Sequence, residues 1–277
     1  MVGAGIIGSC TAWSLLKRGY HVDLFDKDTP MAHTSQSSSK LLHGGLRYLE
    51  TGQFKLVRKA LQARHFWLQQ APHLCHQLEL LFPIYKGEGR PKWQIGLGTK
   101  MYDILAKGSG FPNSQWLNAD EALRRSPNLK AHNLIGSYSF YDGQIDDYQL
   151  GQWVSTQIQN LSGKVFTGRP VNTLDELADY DAIVNATGPW VMNLRMQQPN
   201  PPAIEIDWVR GSHLFVNQTL QQALMLPSPN EKRIFFVLPY HGKTMIGTTE
   251  VRQSQPESAP ASTEEINYLL QSYNQYH

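Results

Sequence analysis

The sequence is poor in cysteine, in surplus charge and in long apolar runs, and each shortage closes off a class of protein. Its two cysteines, Cys10 and Cys75, lie far apart, with no metal-ligand spacing and no disulfide framework. That usage points to a reducing compartment. The net charge is only +2 and the basic residues are scattered, which argues against a nucleic-acid partner. No stretch reaches the roughly 18 apolar residues that span a bilayer; peripheral attachment to a membrane stays open. The chain starts on a glycine motif rather than a signal-peptide pattern. HExxH, GxSxG and Cys/His metal patterns are missing, so metal and hydrolase chemistry find no support. What is present is 41% hydrophobic and 17% charged residues in 277, the balance of a folded chain with room for two lobes.

Gly3-Ala4-Gly5-Ile6-Ile7-Gly8 fits G-x-G-x-x-G. In that pattern the first glycine makes a tight turn and the second admits a pyrophosphate. The third lets the helix pack close to a sheet. Ile6, Ile7, Cys10, Trp13, Leu15 and Leu16 are spaced like the buried side of that helix. Gly19 ends it, and His21 to Phe25 reads as a strand stopping at Asp26. A carboxylate there can accept from ribose hydroxyls and would repel a 2′-phosphate, which argues against NADP. The motif itself does not separate FAD from NAD. Asn185-Ala186-Thr187-Gly188-Pro189-Trp190 bears on the choice. It closes a second apolar strand, Ala182 to Ala186, with small residues where backbone can approach a cofactor. A long polar and helical insertion separates the two halves of the nucleotide fold, an order habitual in flavoproteins of the glutathione-reductase type.

Elsewhere, Phe54 to Leu81 reads as helix in two pieces broken at Pro72, and Lys92 to Lys107 as another. A further helix starts near Ala119 and ends before Pro127. Ser137 to Val154 reads as a strand, a turn at Gly143, then a helix capped by Asp146 or Asp147. Gly163 to Val171 reads as a strand. Antiparallel strands follow from Ile204, at 206–216, 233–240 and 243–251. A polar loop at 253–261 leads to a capping box, Ser262-Thr263-Glu264-Glu265, and a final helix. The fold class is α/β: a glutathione-reductase-like FAD-binding fold with an interleaved antiparallel-sheet substrate domain. The expected segments are FAD-binding at 1–65 and 141–195, a helical insertion at 66–140, a sheet at 196–250, and a linker with the last helix at 251–277.

Ser38-Ser39-Lys40-Leu41-Leu42-His43-Gly44-Gly45-Leu46-Arg47-Tyr48-Leu49-Glu50 resembles the segment typical of FAD-dependent, quinone-linked glycerol-3-phosphate dehydrogenases. These lie within the D-amino-acid-oxidase-like FAD oxidoreductases. APHLC (71–75), MYDILAKGS (101–109), YDGQIDDYQL (141–150), IVNATGPWV (183–191), VRGSHLFV (209–216), RIFFVLPY (233–240), IGTTEV (246–251) and EINYLLQSYN (265–274) fall in the family's order. The likeness covers nearly the whole chain. The segment at 38–50 and the Gly-Ser-His strand are its specific parts. There are departures. The strand before Gly3 is cut short, the stretch between Val165 and Asp181 is much shorter than the family's usual β-meander, and Glu250 stands where the family commonly has Asp. The family's later arginine strand, Gly-Gly-Lys segment and helical cap do not occur by His277. The resemblance therefore implies a chain that, as it stands, is inactive or poorly flavinated.

The activity implied by the resemblance is oxidation of sn-glycerol 3-phosphate to dihydroxyacetone phosphate, with hydride passing to flavin N5 and electrons on to a quinone. The implied FAD-binding set is Gly3, Gly5, Gly8, Asp26, Ser38, Ser39, Lys40, His43, Gly44, Gly45, Val171, Ala186, Thr187 and Gly188. The implied catalytic set is His213, Arg47 and Tyr48, with no metal. Arg47 can grip a phosphate bidentately and Tyr48 can add a hydrogen bond. Gly44 and Gly45 would let backbone lie against the isoalloxazine where any Cβ would collide. Strand alternation puts His213 on the face of Gly211, leaving a hollow with one titratable group that can accept the hydroxyl proton. The alternative is a satisfied histidine in a half-buried strand. Arg210 points to the other face. Trp190, Trp208, Phe235 and Phe236 read as core. The implied place is cytoplasmic, peripheral on the inner face of a bacterial cytoplasmic membrane; a homodimer stays open. Rival readings are another flavin oxidoreductase of this fold, acting on an amine or hydroxy acid, and an inactive fragment keeping only the fold.

Overall fold

The computed structural model describes residues 1–201, 203–229, 233–257 and 259–277. The first half carries α1 (Ile6–Leu16), β1 (Asp23–Phe25), β2 (Leu41–Leu42), α2 (Phe54–Gln70), β3 (Cys75–Tyr85), α3 (Lys92–Leu105), β4 (Gln115–Asn118), α4 (Ala119–Arg125) and β5 (Leu134–Ile145). The second carries α5 (Asp147–Asn160), β6 (Lys164–Phe166), α6 (Val191–Arg195), β7 (Trp208–Arg210), β8 (His213–Val216), β9 (Ala223–Pro227), β10 (Ile234–Tyr240), β11 (Lys243–Gly247), β12 (Val251–Gln253) and α7 (Thr263–Asn274). These elements form two compact units. The first comprises residues 1–40, 146–209 and 252–258, the second residues 41–145, 210–251 and 259–277.

In the first unit β1 and β6 pair in parallel, Asp23 opposite Lys164. Val2 bridges both Phe25 and Asn185 in parallel. Its N–H donates to the Val184 carbonyl at 3.0 Å, and its own carbonyl accepts from Ala186 N–H at 2.8 Å. The apolar segment read as a strand before Asn185 is thus held by a single bridge rather than a ladder. Val2, Phe25, Leu177 and Leu194 form the core, with Phe166, Val171, Leu174 and Ile183 packed against it. Helix α1 departs from the pattern expected of it. Its buried residues are Gly8, Ser9, Ala12 and Trp13, while Ile7 is 71% exposed. The cause is the glycine turn. It draws the helix so near the turn's own backbone that a Cβ on Gly8 would lie 1.9 Å from the Gly3 carbonyl oxygen. Small residues, Gly8, Ser9 and Ala12, fit beside the turn, and Ile7 faces outward.

The second unit is built on one mixed sheet, ordered β2-β5-β3-β9-β10-β11-β8, with β4 also on β5. β3 and β9 run parallel; the other pairs are antiparallel. Along β3, Leu81 and Tyr85 face a core shared with Leu269 and Tyr273 of α7. Leu80, Phe82 and Ile84 face a second core, with Val57 and Leu61 of α2 and Ile95 and Tyr102 of α3. So the second helical piece expected before Leu81 does not form: α2 stops at Gln70 and the chain enters β3 at Cys75. An apolar run buried on both faces shows no alternation, and spacing alone does not tell it from helix. The turn expected at Gly143 is absent too, because β5 runs through it opposite Gln77 and Leu42. Glycine there serves close approach: a Cβ would lie 3.0 Å from Leu42 Cβ and 3.6 Å from Arg64 Cγ. β9 is not announced by the sequence pattern, again because most of it is buried. The capping box of α7 forms as read, Ser262 and Glu265 bonding reciprocally. The polar loop at 253–261 includes position 258, outside the described residues.

Candidate active site

The nucleotide-type residues belong to the first unit. Gly3 has φ +99°, and a Cβ on it would meet the Ala186 carbonyl oxygen at 2.4 Å. Gly5 lies against Ser35, whose Oγ also accepts from Ile6 N–H at 3.0 Å. The first N–H groups of a helix have no carbonyl partner of their own, and their dipole favours an anion. Ser35 thus sets a hydroxyl at the mouth of α1, a role no sequence signal announced. Asp26 accepts from Ala4 N–H at 2.6 Å and from Asp28 N–H at 2.9 Å. It closes the turn and keeps lone pairs for a ribose. Thr187 donates from Oγ1 to Asn185 Oδ1 at 2.7 Å. Gly188 has φ +57° and nothing within 4 Å of its Cβ position. Val171 packs on the small core of Val2 and Phe25.

Ser38 and Lys40 are tied to one carboxylate. Asp147 Oδ2 accepts from Ser38 N–H at 3.1 Å and Ser38 Oγ at 2.7 Å, and Oδ1 accepts from Lys40 Nζ at 2.6 Å. Lys40 also donates to the Gln36 carbonyl at 2.6 Å and is buried, at φ +58°. Its ammonium is therefore engaged within this unit. Ser39 is half-buried beside it. The two acids after β5 divide their work: Asp146 caps α5 by accepting from Gln149 N–H at 3.0 Å, while Asp147 holds this segment.

The phosphate-type and titratable residues belong to the second unit. Gly44 N–H donates to Tyr102 Oη at 2.6 Å, with Asp142 Oδ1 at 3.4 Å. Tyr102 donates to Asp142 Oδ1 at 2.6 Å, and Arg64 donates to the same oxygen at 2.7 Å and to the Tyr141 carbonyl at 2.8 Å. Arg64, Tyr102 and Asp142 are all buried. Burial raises the pKa of Asp142 against the pull of Arg64 and His43, and raises that of Tyr102 well above the ordinary phenol value. A Cβ on Gly44 would strike Leu61 at 2.5 Å and the Tyr102 hydroxyl at 2.6 Å. One on Gly45, at φ +74°, would strike the Tyr48 ring at 2.4 Å. The room for a Cβ at both glycines is thus taken by this chain's own side chains. His43 is exposed and stacks toward Phe236, ring centroids 6.3 Å apart.

After Gly45 the chain makes a 3-10 helix, Leu46–Thr51. Arg47 on it is exposed, and its guanidinium has no hydrogen bond or ion pair among the described residues. Nearby Arg90 is the contrast, paired through both Nε and Nη2 with Glu50. Arg47 borders an apolar cavity of ≈ 140 Å³ lined by Leu49, Phe82, Ile95, Met101 and Met225 among others. Tyr48 is 41% exposed.

His213 opens β8, half-buried, with its ring laid on Gly247: a Cβ there would lie 2.2 Å from His213 Cδ2. The hollow expected over Gly211 is filled, since a Cβ on Gly211 would meet Thr248 Oγ1 at 2.4 Å. The strand alternation behind that expectation fails because β7 and β8 are separate strands, broken at residues 211–212. Ser212 and Thr249 both donate to Glu265 Oε1, at 2.8 and 2.6 Å, and Arg210 pairs with Oε2. Of the expected core aromatics, Phe235 is fully buried, while Phe236, Trp190 and Trp208 are half-buried.

A family model described as "FAD dependent oxidoreductase" matches residues 1–277. The chain belongs to that family. Among its relatives, the aerobic glycerol-3-phosphate dehydrogenase of Escherichia coli is 34% identical over 99% of this chain and 58% of its own length. The D-erythritol 1-phosphate dehydrogenase of Brucella abortus is 31% identical over 100% of this chain and 59% of its own. The chain thus spans somewhat over half the length of the curated relatives it matches. A solved glycerol-3-phosphate dehydrogenase from Bacillus halodurans, complexed with FAD, superposes with a TM-score of 0.74 at 24% identity. It covers 99% of this chain and 52% of that one, and supports the fold of this FAD oxidoreductase.

Proposed function

We propose that this FAD oxidoreductase oxidises a polyol phosphate, sn-glycerol 3-phosphate, at its C2 hydroxyl. The observation that carries the reading is Arg47. Within residues 38–50 Lys40 is committed to a carboxylate, whereas Arg47 is exposed, with no hydrogen bond or ion pair among the described residues. A dianionic phosphate suits such a guanidinium. The two relatives named above support the class, since both are named for polyol phosphates.

The glycine turn fits FAD. The Gly3–Gly8 backbone, the Ser35 hydroxyl at the mouth of α1 and the Asp26 carboxylate would hold its pyrophosphate and ribose, with Ala186, Thr187 and Gly188 close to the turn. When bound, FAD supplies the two-electron acceptor. Arg47 binds the phosphate and Tyr48 adds a hydroxyl, fixing which carbon is presented. His213 takes the C2 hydroxyl proton on its imidazole. We extend the reading to a quinone as final acceptor, peripheral membrane attachment and a homodimer.

The test is optical. Loaded with FAD, the protein should show flavin absorbance bands, and anaerobic glycerol 3-phosphate should bleach them. A chain that takes up no flavin, or whose bands do not bleach with any substrate, would favour the reading of an inactive fragment that keeps only the fold. Bleaching by glycine or a hydroxy acid instead would replace this reading with an amine or hydroxy-acid oxidoreductase. Erythritol 1-phosphate measures how narrow the substrate class is.

A further inference from the structure

Most of the candidate groups in the second unit lie at or near its surface. Behind them is a buried relay whose direction the chemistry fixes. Gly44 N–H can only donate, and it donates to Tyr102 Oη at 2.6 Å. The phenol has one proton, which goes to Asp142 Oδ1 at 2.6 Å. Arg64 closes the series on that same oxygen at 2.7 Å. The relay carries unmet needs: Arg64 Nε and Nη2 are buried with no hydrogen-bond partner among the described residues. A site that needed only filling would be served better by apolar side chains, because a buried ion pair is a weak source of stability. What it can supply is a fixed position for the one backbone group at its end.

That group lies three residues before Arg47. Gly45 follows in the left-handed region and the 3-10 helix starts at Leu46, so the height of Gly44 sets where the helix begins. We infer that Tyr102 is a positioning residue for the phosphate grip of Arg47, acting through its hydrogen bond to Gly44. The inference rests on the reading of Arg47 as phosphate ligand.

The test compares Tyr102→Phe with Phe140→Leu in the flavin-loaded protein. Phe140 meets the Tyr102 ring edge-on, 6.2 Å between centroids, so its truncation loosens the same packing and leaves the hydrogen bond. The measurements are kcat/KM for glycerol 3-phosphate against glycerol, which lacks the phosphate, and the Kd of dihydroxyacetone phosphate by calorimetry. Tyr102→Phe should lower the phosphate preference about tenfold and weaken the Kd by a similar factor, since small misplacements of a binding group are costly. Phe140→Leu should lower the melting temperature and leave the preference unchanged. If both variants lower stability and neither moves the preference or the Kd, Tyr102 is merely structural and the inference falls. If the wild-type protein shows no phosphate preference, the substrate reading fails first, and this inference with it.

Discussion

At Gly3 and Gly8 the room a Cβ would need is taken by backbone: the Ala186 carbonyl above one, the Gly3 carbonyl beside the other. At Gly44 and Gly45 it is taken by side chains, Leu61, Tyr102 and Tyr48. The first turn is therefore determined mostly by its own few residues and the adjoining strand ends. The second is determined by helices α2 and α3 and strand β5, and by charges drawn from the middle of the chain. A backbone obstacle cannot rotate away, whereas a side chain can. Conversely, a turn supported by buried charges fails badly when one charge is removed.

The largest effect follows from that last point. Arg64→Met should cost about 3–5 kcal/mol, because it leaves Asp142 buried without its counter-charge. The loss should depend on pH with a definite sign. Burial already raises the Asp142 pKa, and Arg64 is the largest opposing influence. In the variant the folded pKa rises further, so stability falls as pH rises through it and recovers as acid protonates the carboxyl. Denaturant unfolding at several pH values reads this out. A flat pH profile would remove buried charge from the account of the second turn.

Next come the glycines themselves. Gly8→Ala should cost about 3 kcal/mol, the upper end for overpacking, because its obstacle is a carbonyl. Gly44→Ala should cost about 1–2 kcal/mol, because its nearest obstacle is the end of the Leu61 side chain, which can rotate, rather than backbone. Equal losses in paired unfolding curves would break the distinction between the turns.

The same difference explains what the sequence made legible. The first turn could be read at once: G-x-G-x-x-G, a helix, a strand and Asp26 lie within one short stretch, and each has a local reason. The segment at 38–50 could be recognised as a pattern, but its support could not be read. Arg64 lies in a helix where nothing marks it as buried. Asp142 was visible only beside a glycine that looked like a turn and is in fact strand. Tyr102 sat in a helical run with nothing to single it out. Ser35 had no mark at all, since a lone serine in a polar loop has many uses. The helix read before Leu81 failed for a related reason: β3 is buried on both faces, and only pairing with β5 and β9 shows it to be a strand.

The smallest effect expected is also the one that can watch the two turns separately. Each unit carries one cysteine: Cys10 on the helix of the first turn, Cys75 at the head of β3. Burial pushes the Cys10 thiol up to about 12 and the Cys75 thiol up to about 11. At pH 8 roughly one Cys10 in ten thousand and one Cys75 in a thousand would be thiolate, so both should label slowly in the folded protein. Labelling then reports opening of the unit that holds the thiol. Gly8→Ala should speed Cys10 and leave Cys75 nearly unchanged, and Arg64→Met should do the reverse. If either variant speeds both thiols equally, the two turns share one opening event, and the local origin argued for the first of them is wrong.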